Sequence, residues 1–358
     1  MSVRTKTGSA KPLAAERGCL VIADISGYTG YVVDSPLEHA EDVLTDVTVL
    51  VSEHLGRVLS LNKQEGDAVF GYALDGALDG AMLLDTVEEC YFAFRNRLVG
   101  IERATSCDCN ACAKLPELDL KFVVHTGEFI RRAGTGGEEL TGSDVIVAHR
   151  LLKNEVNGKG YALLTESAVG KLGLDAPGLG FMEHIESYPD VGEVHGWVAD
   201  LEGRWQAELS RRRSVVGARE AEFEIEQLLP VPPPVAWEYL TAPAKRTLWQ
   251  GRVEEEAASG RRGPGTTSFC VDGRSTIYEE ILDWRPFNYF TETRTLPGGK
   301  VVVTTELIAA EGHTRVRVRG KPVKTKVANR VTAPLRERRL RRAYERLGAL
   351  FEEAGDAR

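Results

Sequence analysis

The sequence predicts an α+β protein of two domains, and three observations predict it. Its 358 residues exceed what a single core comfortably encloses. An N-terminal order of buried strand, helix and hairpin begins at the apolar run CLVIADISGYT, residues 19–29. A second order of strand, proline-opened helix, further strands and long terminal helix begins at EFEIEQLLPV, residues 222–231. Between the two lies AELSRRRSVVGAREAE, whose charge and glycine interrupt the apolar alternation.

The first element is preceded by residues 1–17, which lack the apolar centre of a secretion signal and are expected to form a flexible tail. Val21 to Ile25 then read as a buried strand. Residues 36–55 carry Ala40, Val43, Leu44, Val47 and Val51 at helical spacing, and Arg57 to Tyr72 read as a hairpin. A strand, a crossover helix and a hairpin return the second strand beside the first. Asp24 and Asp67 then meet at one sheet edge. Two carboxylates at neighbouring strand tips suit two magnesium ions over a triphosphate. The same two residues also fit a helix cap and an ordinary Gly-Asp turn.

Four ordered segments add to this: DISGYT (24–29), KQEGDAVF (63–70), VVHTGEF (123–129) and GSDVIVAHRLL (142–152). Together they resemble the signature blocks of the class III adenylate and guanylate cyclases, over roughly residues 18–205. The resemblance implies a ferredoxin-like βαββαβ core in a domain of residues 18–207, a head-to-tail homodimer, and a nucleoside triphosphate held between two chains. By position it implies Asp24 and Asp67 as ligands of two Mg2+ or Mn2+ ions, with the Ile25 carbonyl as a further ligand. It implies Lys63 and Glu139 as purine readers that lean toward ATP, and Arg150 as a catalytic cation. The chemistry suits such parts, because the ribose 3′ oxygen attacks the α-phosphorus, pyrophosphate leaves and charge builds on oxygens. One position departs from the family pattern V-N-x-A-x-R, which here reads Val145-Ile146-Val147-Ala148-His149-Arg150. Isoleucine cannot donate to the ribose, and one such hydrogen bond is worth about 10²–10³ in rate. Asn154 and Asn157 lie further along the same predicted helix, expected to end near Gly158, and are candidates to replace it.

Cys107, Cys109 and Cys112 stand close together in SCDCNACAKL. Three thiols on a loop can wrap zinc with His125 or Cys90 as fourth ligand, or remain free thiols of a reducing compartment. Cys19 and Cys270 lie in apolar runs and read as small buried hydrophobes.

In the second half, Pro232 to Pro234 fit a helix start, where a missing N–H costs nothing. PVPPPVAWEYLTAPAKRTLWQG, STIYEEILDWRPFNYFTETR and PLRERRLRRAYERLGALFEEA resemble the START-like helix-grip proteins, also described as polyketide cyclase/dehydrase-like, over about residues 220–356. That implies a linker at 208–221 and a domain at 222–356, in which a curved antiparallel sheet grips a long C-terminal helix. Such a fold leaves an apolar cavity for a lipid or another apolar small molecule. Trp237, Tyr239, Trp249, Tyr278, Trp284, Phe287, Tyr289 and Phe290 are the aromatic candidates to line it, Trp249, Tyr278 and Tyr289 among them, although aromatics at strand spacing also build cores.

No run approaches the ~20 apolar residues of a membrane helix, and a cytoplasmic protein with no transmembrane segment is expected. Residues 314–346 hold thirteen Lys or Arg against two acids, in a chain of net charge −8. The contrast suggests docking of the basic helix on the acidic N-terminal domain, or contact with an anionic membrane surface or nucleic acid; no aromatic-and-glycine nucleic-acid motif accompanies the charge, so docking is the expectation, and no nucleic-acid partner. Two functions follow. One is a cyclase converting a nucleoside triphosphate to a cyclic nucleotide, with a ligand-sensing second domain; Asp24, Asp67 and Lys63 favour it. The other is an inactive nucleotide-binding or dimerisation scaffold, which Ile146 favours.

Overall fold

In the computed structural model the apolar run forms β1 (Glu16–Ser26), buried from Cys19 to Ala23, as a strand covered on both faces must be. Residues 14–33, 35–62, 68–104, 113–134, 137–211, 213–256, 262–272, 275–296, 299–323 and 329–356 are described. They fall into two units, one of residues up to Leu83 with Cys90–Ala176 and Gly180–Trp205, the other of Leu84–Glu89, Pro177–Leu179 and the chain from Gln206.

In the first unit β1 leads through α1 (Tyr28–Val33) into α2 (Leu37–Leu55), whose Ala40, Leu44, Val47, Val51 and Leu55 form the buried stripe of an amphipathic helix. β2 (Ser60–Leu61) and β3 (Ala68–Leu74) follow, then α3 (Gly80–Ala104) and β4 (Asp119–Gly134). β3 and β4 pair antiparallel with β1 on its two sides, and β2 pairs with β3. The order β2-β3-β1-β4, built from β1-α-β2-β3-α-β4, is the ferredoxin-like arrangement. β5 (Gly137–Thr141) turns back on β4, and α4 (Ser143–Arg150) packs over β1 and β4. β6 (Tyr161–Thr165), α5 (Glu166–Lys171), β7 (Met182–Tyr188) and β8 (Gly192–Asp200) extend the sheet beyond β4 in the order β6-β8-β7. α6 (Leu201–Ser210) closes this region and runs into the stretch expected to be linker.

The second unit opens with β9 (Phe223–Leu229) and α7 (Pro233–Thr241), with proline in its first turn. After α8 (Pro243–Gln250) come β10 (Arg252–Glu256), β11 (Thr267–Asp272), β12 (Ser275–Arg285), β13 (Tyr289–Leu296), β14 (Gly299–Ala310) and β15 (His313–Pro322). They form a curved antiparallel sheet in the order β10-β11-β12-β13-β14-β15-β9. The long helix α9 (Asn329–Asp356) starts before the expected Ala333 and contains Pro334. Its Leu340, Tyr344, Leu347 and Phe351 repeat at helical spacing and are buried, and the Tyr344 hydroxyl lies 3.1 Å from Thr305 Oγ1 on β14. The α+β class, the ferredoxin-like βαββαβ core and the curved antiparallel sheet with its long C-terminal helix are therefore as the sequence predicts. Among the described residues no helix is long and apolar enough to cross a membrane.

Candidate functional site

Asp24 lies near the C-terminal end of β1, on the face that carries Leu20 and Ile22. Strand pairing sets it across from Ala68 of β3 on one side and Lys121 of β4 on the other. It is a ladder residue and caps no helix. Asp67 and Lys63 lie outside the described residues, but Ala68, the next residue after Asp67, is Asp24's register partner. Ile25 is buried and pairs with Leu120. Lys121 Nζ stands 3.1 Å from Asp24 Oδ2 and donates to the Leu152 carbonyl at 2.9 Å. Among the described residues no three His, Cys, Asp or Glu side chains group to hold a metal. The Lys121 ammonium thus pairs with the Asp24 carboxylate, and Asp67, the other expected metal ligand, lies outside the described residues.

Arg150 ends α4, half exposed, with its guanidinium 3.2 Å from the exposed Asp190. Ile146, one turn earlier, is 57% exposed, so its apolar side chain faces outward where the family pattern has an amide. With Val145, His149, Arg150 and Lys153 it lines an open hollow of about 310 Å³. Asn154 cannot take over the missing role. The helix does not continue to Gly158: it ends at Arg150, a one-turn 3-10 segment Leu151–Lys153 follows, and Asn154 is its extended C-cap. The Asn154 side chain donates to the Leu151 carbonyl at 2.6 Å and accepts from the Tyr161 hydroxyl at 2.7 Å and the Val156 N–H at 3.0 Å. Asn157 is exposed beyond the helix end. Glu139 is exposed on β5 opposite Arg132, while its neighbour Glu138 accepts from the Tyr72 hydroxyl and lies 3.3 Å from Arg131.

Two of the sequence blocks meet at His125. Its Nε2 lies 3.4 Å from Asp144 Oδ1 and its Nδ1 2.9 Å from Thr165 Oγ1. Burial lowers the His125 pKa against the pull of Asp144, which keeps the ring neutral. A carboxylate only accepts, so the Nε2 proton faces Asp144 and Nδ1 accepts from Thr165. Asp144 Oδ2 also accepts the Glu128 N–H at 2.6 Å. Gly127 makes room for this, since a Cβ there would meet Asp144 Cγ at 2.2 Å. His125 is thus committed within the sheet, and Cys90 is fully buried in α3. Neither expected fourth zinc ligand is a free donor, and Cys107, Cys109 and Cys112 lie outside the described residues.

In the second unit the sheet face under α9 is not purely apolar. Ser268, Glu279 and Arg294 are cross-strand partners on β11, β12 and β13, and Glu292 shares their face. Glu279 accepts from Ser268 at 2.9 Å and is ion-paired with Arg246 of α8 and, at 3.3 Å, with Arg294; Arg294 also binds Glu292 at 2.5 Å. All four ionic side chains are buried. Burial pushes the Glu279 carboxyl up, but Arg246 and Arg294 outweigh it and bring it down to about 2. Of the expected lining residues, Trp249 is buried, donates to the Tyr239 carbonyl at 2.9 Å and packs 5.3 Å from the Tyr344 ring. Tyr278 and Tyr289 require correction. Their strand parity is opposite to Glu279 and Phe290, so they face away from α9: Tyr278 packs against the exposed Phe269, and Tyr289 donates to Asp283 at 3.3 Å. Trp237, Trp284, Phe287 and Phe290 form one aromatic cluster.

The sequence reading missed Lys121 and the buried quartet. The signal was parity: Lys121, Val123 and His125 alternate on one face of a strand, as do Ile277, Glu279 and Ile281.

Residues 46–161 match a family described as a protein of unknown function (DUF2652), and residues 220–352 match the family described as polyketide cyclase / dehydrase and lipid transport. An uncharacterized protein of Mycobacterium tuberculosis is 37% identical over 108 residues, 30% of this chain and 50% of that protein. The chain thus spans about half the length of the curated relative it matches. Among solved structures, the guanylyl cyclase Cya2 is similar at 12% identity and a TM-score of 0.40, over 52% of this chain and 92% of that one. The adenylyl cyclase CyaB from P. aeruginosa is similar at 18% identity and a TM-score of 0.39, over 57% and 100%. Protein MLL2253 from Mesorhizobium loti is similar at 17% identity and a TM-score of 0.29, over 35% and 95%.

Proposed function

We propose that the N-terminal unit is a nucleotide cyclase-type module that binds a nucleoside triphosphate without turning it over, and that the C-terminal unit binds a lipid or another apolar small molecule. The observation that carries the reading is the Asp24 end of the sheet. The β2-β3-β1-β4 order brings Ala68, next to Asp67, across from Asp24, while Lys121 holds the Asp24 carboxylate and Ile146 stands where a ribose-orienting amide belongs. A polar group kept at a strand tip supports binding, and a replaced hydrogen-bond donor argues against efficient transfer. In the C-terminal unit the family match supports a ligand with an apolar body. The buried Arg246, Glu279, Arg294 and Glu292 favour one that also carries a polar end. A head-to-tail homodimer belongs to the same proposal.

A second reading, a slow ATP cyclase using Mg2+ or Mn2+, is favoured by Arg150, which the sequence keeps and whose guanidinium is paired, among the described residues, with an exposed carboxylate. One experiment separates the two. Binding of each nucleoside triphosphate is measured by calorimetry, and cyclic product is sought by mass spectrometry with manganese present. Binding without product is the expected result. A cyclic product abolished by Asp24→Ala and by Asp67→Asn would establish the second reading, and no binding of any triphosphate would remove the nucleotide role.

A further inference from the structure

We infer that the ligand of the C-terminal unit is a carboxylic acid with an apolar body, and that Arg294 receives its carboxylate. This deepens the proposed apolar-ligand reading of that unit and rests on it.

Arg294 lies on the inner face of β13, with Glu279 of β12 and Val301 of β14 as its cross-strand partners. It is 3% exposed, so the donors of its guanidinium need acceptors away from bulk water. Nε and Nη2 donate to Glu292 Oε1 at 2.8 and 2.5 Å, and Nε lies 3.3 Å from Glu279 Oε1. Nη1, which carries two of the five N–H groups, has no acceptor among the described residues. Arg246 is more fully engaged. Its Nε donates to Gln250 Oε1 at 2.9 Å, its Nη2 to Glu279, and its Nη1 stands 3.5 Å from Ser268 Oγ. The quartet thus closes around Glu279 and stays open at Arg294. Glu292 uses the Nε/Nη2 edge of that guanidinium, and the Nη1/Nη2 edge that remains has the fork geometry of a planar carboxylate.

The neighbours of this edge suit an aliphatic chain. Val301 is the strand partner of Arg294, and Val303 and Ile281 flank Glu292 on its two sides, all three buried. A charged head position walled by aliphatic side chains takes a molecule with one polar end. Charge balance narrows the head further. The two arginines and two glutamates sum to zero, so an entering anion requires one acid of the set to take up a proton. Burial, with the Glu279 charge, pushes the Glu292 carboxyl up against the pull of Arg294. Burial also raises Glu279, but Arg246 and Arg294 outweigh it and hold it low, so Glu292 is the acid that gives way. One proton offsets the single charge of a carboxylate and not the two of a phosphate monoester. A quartet kept only to brace the sheet is expected to fill its donors, as Arg246 nearly does.

The test is calorimetric binding of dodecanoate, dodecyl phosphate and dodecanol to the full chain near neutral pH. The wild type is compared with Glu292→Gln and with Arg294→Met combined with Glu292→Gln, a pair of changes that removes one charge of each sign; thermal melting verifies that each variant is folded. The wild type is expected to bind dodecanoate about tenfold or more tighter than either other probe. Glu292→Gln, which supplies the neutral side chain in advance, should widen that preference, and the double variant should lose it. Equal affinity for dodecanoate and dodecanol in the wild type would overturn the inference while leaving the apolar-ligand reading in place, as would a preference that survives the double variant. Should the double variant not fold, Glu292→Gln still decides, because an unchanged or reduced preference there would overturn the inference. Dodecyl phosphate bound more tightly than dodecanoate would overturn the choice of acid. No binding of any of the three probes would remove the apolar-ligand reading and the inference with it.

Discussion

At the scale of single residues, His125 links two strands to a helix while remaining neutral. Burial lowers its pKa, so its folded value lies below its ordinary value of 6.5. Such a histidine contributes stability that is present above that pH and is lost as pH falls through the folded value, because the fold must then accept a buried proton. The wild type is therefore expected to lose more thermal stability between pH 7 and pH 5 than His125→Gln does, with the two melting curves compared at each pH. Equal losses would show that the ring titrates freely. Arg150 is a different case. Its described ion-pair partner, Asp190, is 73% exposed, and exposed pairs are worth little. Arg150→Ala should change stability by no more than about 0.5 kcal/mol, as measured by denaturant unfolding, so any loss of nucleotide binding in that variant reports on the site and not on folding.

At the scale of elements, two sequence blocks prove to be one physical unit. VVHTGEF and GSDVIVAHRLL face each other because Asp144, in the first turn of α4, bonds the Glu128 N–H and reaches His125 through the space that Gly127 leaves open. A methyl group at Gly127 would overlap Asp144, so Gly127→Ala should cost about 1–3 kcal/mol through overpacking and the loss of that hydrogen bond. Unchanged unfolding in urea would show that α4 is held elsewhere. The buried quartet similarly ties α8 to the sheet. Arg246→Met would leave the Glu279 carboxylate with Arg294 as its one remaining cation among the described residues and should cost about 3–5 kcal/mol, read from the same transition. The basic character of β15 also resolves at this scale. Arg317 pairs with Glu226 and Glu306, Arg319 with Glu224 and Glu306, and Lys321 with Glu220, all on neighbouring parts of the same unit. Along this strand Arg317, Arg319 and Lys321 find their counter-charges within their own unit.

At the scale of the whole molecule, the chain carries a net charge of −8 at pH 7, and its sequence isoelectric point is about 5.6. Acid removes that charge and then reaches the buried network. Glu279 has a folded pKa lowered from 4.5 to about 2, so its ion pairs stabilise above its unfolded value and are lost as pH falls from about 4.5 towards 2. Glu292, which burial pushes up against its pairing with Arg294, acts in the opposite sense. Between pH 6 and pH 3 the melting temperature of the wild type should therefore fall more steeply than that of Glu279→Gln. Parallel slopes would mean that acid sensitivity arises elsewhere.

The sequence by itself determined the class of both halves. Continuous apolar runs, helical stripes and turn residues act over a few positions, and they read through to β1, α2, α7 and α9 nearly as placed. It also marked Asp24 and Arg150, because short motifs carry their chemistry locally. Only the tertiary structure decided what these residues touch. Strand register, a relation between segments about a hundred positions apart, set Lys121 against Asp24; the early end of α4 turned Asn154 into a cap. Strand parity relative to α9 moved Tyr278 and Tyr289 off the inner face and put four charges there instead. Composition counts residue types, whereas pairing energy depends on which face and which partner each one meets.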